Sequence, residues 1–270
     1  MPTLKSTRLD GKAVVVTGAT QGIGEAVALA CAEAGAAGVC LGGRDAERGA
    51  AVAARIEAMG CAALFARGDL AAEDDCRALV RAAASRFGIL HGLVNAAGLT
   101  DRGTLEDTTT AQWDRLFAVN VRAPFVLMQE FARVARVNGT AGSIVNISSR
   151  SSMAGPPFLM AYAASKGALV TLTRNSAHAL RKRRIRVNAI NVGWTDTPGE
   201  HEIRRREGQA PGWNERAGAL LPFGRLLDTG DVSTLVAYLL SDASAMMTGS
   251  IIDFDQNVIG AYGADVHPPI

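Results

Sequence analysis

The chain has 270 residues, 48% of them hydrophobic and 5% aromatic, which is enough for one large α/β domain with a substantial core. Its 28 Lys and Arg against 26 Asp and Glu leave a net charge of +2, so neither a basic field for nucleic acid nor an acidic solvating tail is present. No apolar run reaches the roughly 20 residues of a bilayer span, and "MPTLKSTRLDGK" is polar ahead of the first apolar run, so a soluble, cytoplasmic protein with no membrane partner and no leader is expected.

In chain order, short apolar runs alternate with longer helical patterns. "AVVVT" (13–17) reads as a buried strand, followed by a helix over about 22–34. "GVCL" (38–41) is a second strand before a helix over 45–59, and "AALFA" (62–66) a third before a helix over 72–87. "GLVN" (92–95) is a fourth. A long helical stretch over about 110–138 follows, with Pro124 as an expected local irregularity. "SIVNIS" (143–148) is the fifth strand, and the helix carrying "AYAASK" continues to about residue 183. "IRVNAI" (185–190) is the sixth strand, 231–241 a helix, and 250–254 a last strand. Strands without polar alternation, each followed by a helix, predict a single-domain, doubly wound parallel sheet of seven strands with helices on both faces. The long break over 193–229, rich in Gly, Pro and charge, is expected to be a functional loop. The four cysteines, Cys31, Cys40, Cys61 and Cys76, show no CxxC spacing and read as reduced, mostly buried thiols; no metal is expected.

Directly after the first strand comes "TGATQGIG" (17–24), where Gly18, Gly22 and Gly24 sit at a strand-to-helix turn. Glycine permits the turn and lets main-chain N–H groups approach a pyrophosphate, and the helix N-terminus adds donors and positive dipole. Further along, Tyr162 and Lys166 are spaced to share one helix face; Tyr238 and Tyr262 have no lysine at that spacing. Ser149 lies 13 residues before Tyr162 at the end of the fifth strand, where a parallel sheet faces its ligand crevice.

The spacing TGxxxGxG, then "GDL" (68–70), "NAAG" (95–98), "VN" (119–120), "SIVNISS" (143–149) and "YAASK" (162–166), in this order over about residues 11–254, resembles the short-chain dehydrogenase/reductase family. The resemblance implies a Rossmann fold and an NAD(P)-dependent oxidoreductase acting on CH–OH groups. It implies Asn120, Ser149, Tyr162 and Lys166 as the catalytic set. Tyr162 would be the general acid/base, Ser149 would bind the substrate oxygen, Lys166 the nicotinamide ribose, and Asn120 would kink its helix and hold a water of a proton relay. A free phenol titrates near 10, and nearby positive charge from Lys166 and the oxidised nicotinamide would lower that value. Cofactor contacts are implied for Gly18, Thr20, Gln21, Gly22, Ile23, Gly24, Arg44, Asp69, Leu70, Asn95, Ala96, Ala97, Gly98, Tyr162, Lys166, Gly193, Thr195 and Thr197. At the end of the second strand "LGGRD" places Gly43 where an acid would select NAD, and Arg44 next to it suits a 2′-phosphate, so NADP is expected over NAD. Asp45 is the ribose ligand if the register is displaced by two.

After the sixth strand "NVGWTDTP" has Val192 where the family usually has proline, an expected change in loop rigidity. The substrate wall is expected from Arg150, Ser151, Met153, Pro156, Phe158, Trp194 and the lid segment 199–220. Arg150 is a candidate for an acidic or polyhydroxyl substrate, while Arg204, Arg205 and Arg206 read as a solvated helix face. His91 and His178 are expected on the surface. The substrate is a small secondary alcohol or its carbonyl, such as a sugar, polyol or 3-oxoacyl compound. A non-catalytic cofactor sensor is the alternative, against which the intact set of four argues. The C-terminal "DFDQNVIGAYG" departs from the usual "DGG", in a region that commonly packs between subunits; the resemblance implies a homotetramer, with a dimer as the fallback.

Overall fold

The computed structural model describes residues 6–258, and the end of the C-terminal segment, with its expected subunit packing, lies outside them. Seven strands form one sheet: β1 (Ala13–Thr17), β2 (Gly38–Gly43), β3 (Ala62–Arg67), β4 (Gly92–Asn95), β5 (Gly142–Ser149), β6 (Ile185–Val192) and β7 (Ile251–Phe254). Their order is β3-β2-β1-β4-β5-β6-β7, and every pairing is parallel. The chain winds outward from β1 in one direction and from β4 in the other. The crevice at this reversal, beyond the C-terminal strand ends, is where a doubly wound Rossmann sheet takes its ligand.

β1 is buried along its whole length because it feeds two cores. Val14 and Val16 of β1 point into one, with Val27 and Ala28 of α1 (Gly22–Glu33), Val52 and Ile56 of α2 (Ala46–Ala58). Ala13 and Val15 point into the other, with Leu79 and Val80 of α3 (Glu73–Phe87). β5 repeats the alternation, Val145 and Ile147 to the first face and Ile144 to the second. All four cysteines are buried and unpaired.

The expected helix over 110–138 is two: α4 (Thr110–Phe117) and α5 (Ala123–Asn138), joined by a turn of π-helix over Ala118–Arg122. Pro124 is the cause but sits after the irregularity rather than in it. It has no N–H to give to the Asn120 carbonyl four residues back, and its ring crowds that carbonyl, so the preceding turn widens and Ala123 N–H reaches Ala118 O. Asn120 lies in the middle of this wide turn.

β5 extends one residue past its expected end, to Ser149, and β6 extends to Val192, which pairs with both Ser149 and Phe254. Valine in the usual proline position thus continues the ladder. α6 (Met160–Leu180) carries Tyr162 and Lys166. The expected loop over 193–229 contains two helices, α7 (Pro198–Arg206) and α8 (Trp213–Ala219). α9 (Thr229–Leu240) begins two residues before its expected start, fixed by a reciprocal capping box between Asp228 and Asp231.

Candidate active site

Beyond the strand ends lies a cleft of about 900 Å³, within the ordinary size of a ligand pocket. Gly18, Thr20, Gln21, Gly22, Ile23, Gly24, Arg44, Asp69, Leu70, Ala96, Ala97, Gly98, Ser149, Tyr162, Lys166, Gly193, Thr195 and Thr197 all line it. Asn95 and Asn120 do not.

On one side the wall is main chain. α1 opens at Gly22 with φ of 59°, and its N-cap Gln21 makes no side-chain cap hydrogen bond, so the first-turn N–H groups face the cleft without a side chain satisfying them. A Cβ on Gly24 would stand 2.2 Å from Gly18 O, so only glycine lets helix and turn close to this distance. Thr17, at the end of β1, was not anticipated as a site residue. Its Oγ1 accepts from Ala96 N at 3.1 Å and Ala97 N at 3.2 Å, tying the loop after β4 to β1. Such an uncapped N-terminus beside a glycine turn fits a bound diphosphate.

Arg44 is exposed on the cleft rim. Asp45 is engaged elsewhere: its carboxylate caps α2 by accepting from Arg48 N at 3.0 Å and pairs with Arg48 Nε at 2.7 Å. It does not line the cleft. Asp69 accepts from Ala71 N at 3.0 Å and presents its side chain to the same wall.

Asn95 is instead part of a buried ladder behind the cleft. Its Nδ2 donates to Asn146 Oδ1 at 2.7 Å, and Asn146 Nδ2 donates to Thr173 Oγ1 at 2.9 Å. This links β4, β5 and α6, and Asn95 turns away because its register partner Asn146 lies across the strands. Asn120 is a clamp: its Nδ2 donates to Leu99 O at 2.9 Å and Ser165 Oγ at 3.0 Å, while its Oδ1 accepts from Leu99 N at 2.8 Å. It fastens the loop after β4 to α6 one residue from Lys166.

Ser149 ends β5 and caps a short 3-10 turn, its Oγ accepting from Ser151 N at 3.1 Å. The Tyr162 phenol and the Ser149 hydroxyl line the same cleft, near enough for Ser149 to bear on the phenol's ionisation. Ser148 faces the other way, donating to Lys166 O at 3.4 Å, as the strand's two-residue period requires. Lys166 is buried, and its Nζ donates to Ile147 O at 2.8 Å and stands 5.6 Å from the centre of the Tyr162 ring. Burial pushes its ammonium down to about 8. Burial also raises the Tyr162 phenol above its usual value; Ser149 lowers it in part, and the Glu200 charge raises it further. Lys166 is not among the groups that set the direction of the phenol's shift here. The ammonium is directed at the Ile147 carbonyl, and desolvation governs the tyrosine.

Another part of the cleft lining is made of charged and aromatic side chains. Ser151, Pro156, Phe158 and Trp194 line it as expected; Met153 is 69% exposed and does not. Arg150 lines it but pairs with Asp255 at 2.7 Å. Arg205 and Arg206 are exposed and pair with Glu202, whereas Arg204 turns into the cleft. Its guanidinium lies 4.8 Å from the Trp194 ring and donates to Glu200 Oε1 at 2.9 Å. Arg102, from the loop before α4, reaches across to Glu200 and Glu207 and packs 4.9 Å over Phe158. Arg102, Glu200 and Arg204 were missed as a unit; only the presence of acids at one-turn spacing from the arginine run could have suggested part of it. His178 is exposed as expected, but the His91 Nδ1 accepts from Ala13 N at 3.0 Å and is structural. Among the described residues no group of acids, histidines and cysteines could hold a metal, and no helix is long and apolar enough to cross a membrane.

A family model described as "Enoyl-(Acyl carrier protein) reductase" matches residues 18–256. The 2-(S)-hydroxypropyl-CoM dehydrogenase 3 of Xanthobacter autotrophicus is 34% identical over 93% of this chain and 97% of its own length. A sorbitol dehydrogenase of Cereibacter sphaeroides is 32% identical over 92% of this chain and 97% of its own. The crystal structure of a 3-oxoacyl (acyl-carrier-protein) reductase from Agrobacterium tumefaciens with NADP bound superposes with a TM-score of 0.84 at 28% identity, covering 94% of this chain and 96% of that one. With the parallel sheet, the glycine turn and the Ser149–Tyr162–Lys166 arrangement in one cleft, these likenesses show that the chain belongs to the short-chain dehydrogenase/reductase family of NAD(P)-dependent oxidoreductases acting on alcohols and carbonyls.

Proposed function

We propose that the protein transfers hydride between NADP(H) and a secondary alcohol or its carbonyl, with Tyr162 as the general acid/base. The observation that carries this reading is one cleft lined by Ser149, Tyr162 and Lys166 together with the uncapped start of α1. The cofactor, when bound, supplies the hydride acceptor or donor and, oxidised, a positive ring. The α1 N–H groups would hold its diphosphate, Asp69 its adenine end and Thr195 and Thr197 its carboxamide end, while Lys166 would reach its ribose hydroxyls. In oxidation the Tyr162 Oη takes the alcohol proton; in reduction it returns a proton to the carbonyl oxygen. Ser149, beside the phenol in the cleft, shares the substrate oxygen and keeps it aligned. Asn120 acts behind them by fixing the Leu99 backbone and Ser165 against Lys166.

Preference for NADP is supported by the exposed Arg44 on the rim and by Asp45 being committed to its own helix cap. Arg44 has no ion pair among the described residues, so its guanidinium is free for a 2′-phosphate. Fluorescence titration with NADPH and NADH, followed by a carbonyl and polyol panel, tests the reading. NADPH should bind more tightly and at least one member of the panel should turn over; tighter NADH binding or an inert panel overturns it.

A further inference from the structure

Glu200 sits in the first turn of α7, on the cleft wall that Ser149 and Tyr162 also form. Its carboxylate is 18% exposed and is held in one orientation from one side only. Trp194 Nε1 donates to Oε1 at 3.1 Å, Arg204 Nε donates to the same oxygen at 2.9 Å, and the Arg102 guanidinium lies 3.7 Å from it. Oε2 takes no hydrogen bond from any described residue and is not among the fully buried polar atoms left without a partner, and Glu200 lines the cleft.

An ionised carboxylate oxygen only accepts, so an occupant that satisfies Oε2 must bring a donor. A cationic donor would meet Arg102 and Arg204 beside it. An anionic group at Oε2 would meet the carboxylate itself, and the arginines beside Glu200 offer it no free charge: Arg102 and Arg204 are paired with Glu200 and Glu207, while Arg150 is paired with Asp255. A neutral hydroxyl fits all three constraints. We propose that Glu200 selects substrates carrying a second hydroxyl, diols or polyols, over simple alcohols, by accepting a hydrogen bond at Oε2. This rests on the oxidoreductase reading and names its substrate class. One hydroxyl is oxidised, losing its proton to Tyr162 and its carbon-bound hydride to NADP⁺; the other is retained and donates to Glu200. Because Trp194 and Arg204 already fix the carboxylate, little side-chain freedom is lost when the hydroxyl binds.

The test compares kcat/KM with NADP⁺ for matched pairs, trans-cyclohexane-1,2-diol against cyclohexanol and butane-2,3-diol against butan-2-ol, in wild type, Glu200→Gln and Glu200→Leu. After allowance for the two equivalent hydroxyls, wild type should favour each diol by about 10- to 100-fold, the range for a hydrogen bond to a charged group. The ratio should fall toward one in Glu200→Leu, with Glu200→Gln between. A variant that merely loosens the lid lowers both members of a pair and leaves their ratio intact. A ratio near one in wild type, or one unchanged in both variants, overturns the assignment while the oxidoreductase reading stands. Failure of wild type to oxidise any of the four compounds while another member of the carbonyl and polyol panel turns over overturns this inference alone; a wholly inert panel overturns the oxidoreductase reading and this inference with it.

Discussion

On the side of the cleft formed by the glycine turn, the wall is largely main-chain N–H groups at the start of α1, with Gly18 and Gly24 packed against backbone at distances a Cβ would not allow. On the substrate side the wall is Arg102, Glu200, Arg204, Glu207 and Trp194, side chains from two separated segments holding one another across the opening. The first arrangement is rigid because it is backbone and tolerates almost no substitution. The second is a set of partly exposed ion pairs, each contributing about 0–1 kcal/mol, so it can rearrange around a ligand at small cost. A fixed cofactor floor and an adjustable substrate wall suit a fold that keeps one hydride chemistry and varies its substrate.

The sharpest way to break that contrast is Gly24→Val. Its Cβ would enter a gap of 2.2 Å to Gly18 O, and overpacking against backbone costs about 1–3 kcal/mol, so NADPH affinity should fall by up to roughly 100-fold in a fluorescence titration. Retention of wild-type affinity would show that the floor is not rigid. Arg44→Ala should weaken NADPH about tenfold and leave NADH nearly unchanged, since only the former brings a 2′-phosphate for the guanidinium. Arg102→Gln removes the strap from the loop before α4 to α7. Its substrate KM should rise by up to about fivefold, while thermal melting drops by no more than about 4 °C. A larger loss of melting temperature would mean the wall is as structural as the floor.

The smallest effect is electrostatic. Glu200 raises the Tyr162 phenol, because a nearby negative charge disfavours phenolate. Oxidation needs the ionised phenol and gains with rising pH; reduction needs the protonated phenol and fades with rising pH. Glu200→Gln removes the raising charge, so both limbs should move to lower pH in steady-state pH profiles. A shift to higher pH, or none, would disconnect the wall from the catalytic tyrosine.

The floor was legible in the sequence because its information is local. The glycines 17–24 directly follow an all-buried strand, and Ser149, Tyr162 and Lys166 are fixed by a strand end and one helical turn. The wall was not, because its pairs are long-range: Arg102 meets Glu200 and Glu207, and Arg150 meets Asp255, across distances in sequence that no periodicity links. The run 204–206 shows the limit within a single helix. A solvated face is right for Arg205 and Arg206 and wrong for Arg204, whose direction is set by Trp194 and Glu200. The wide turn at Ala118–Arg122 was visible only as Pro124, since the proline marks the residue that lacks a donor and the distortion falls on the turn before it. The motif implies a cofactor contact for Asn95, and its pairing with Asn146 on the neighbouring strand is not visible in that motif.

The central claim is that Tyr162 moves the proton in a site whose cofactor floor is built independently of it. Single-turnover hydride transfer and NADPH affinity, measured side by side in wild type and Tyr162→Phe, test this most directly. The account predicts a loss of about 10²- to 10⁴-fold in the transfer rate with NADPH affinity within about twofold of wild type. Hydride transfer at a near wild-type rate in Tyr162→Phe would contradict it.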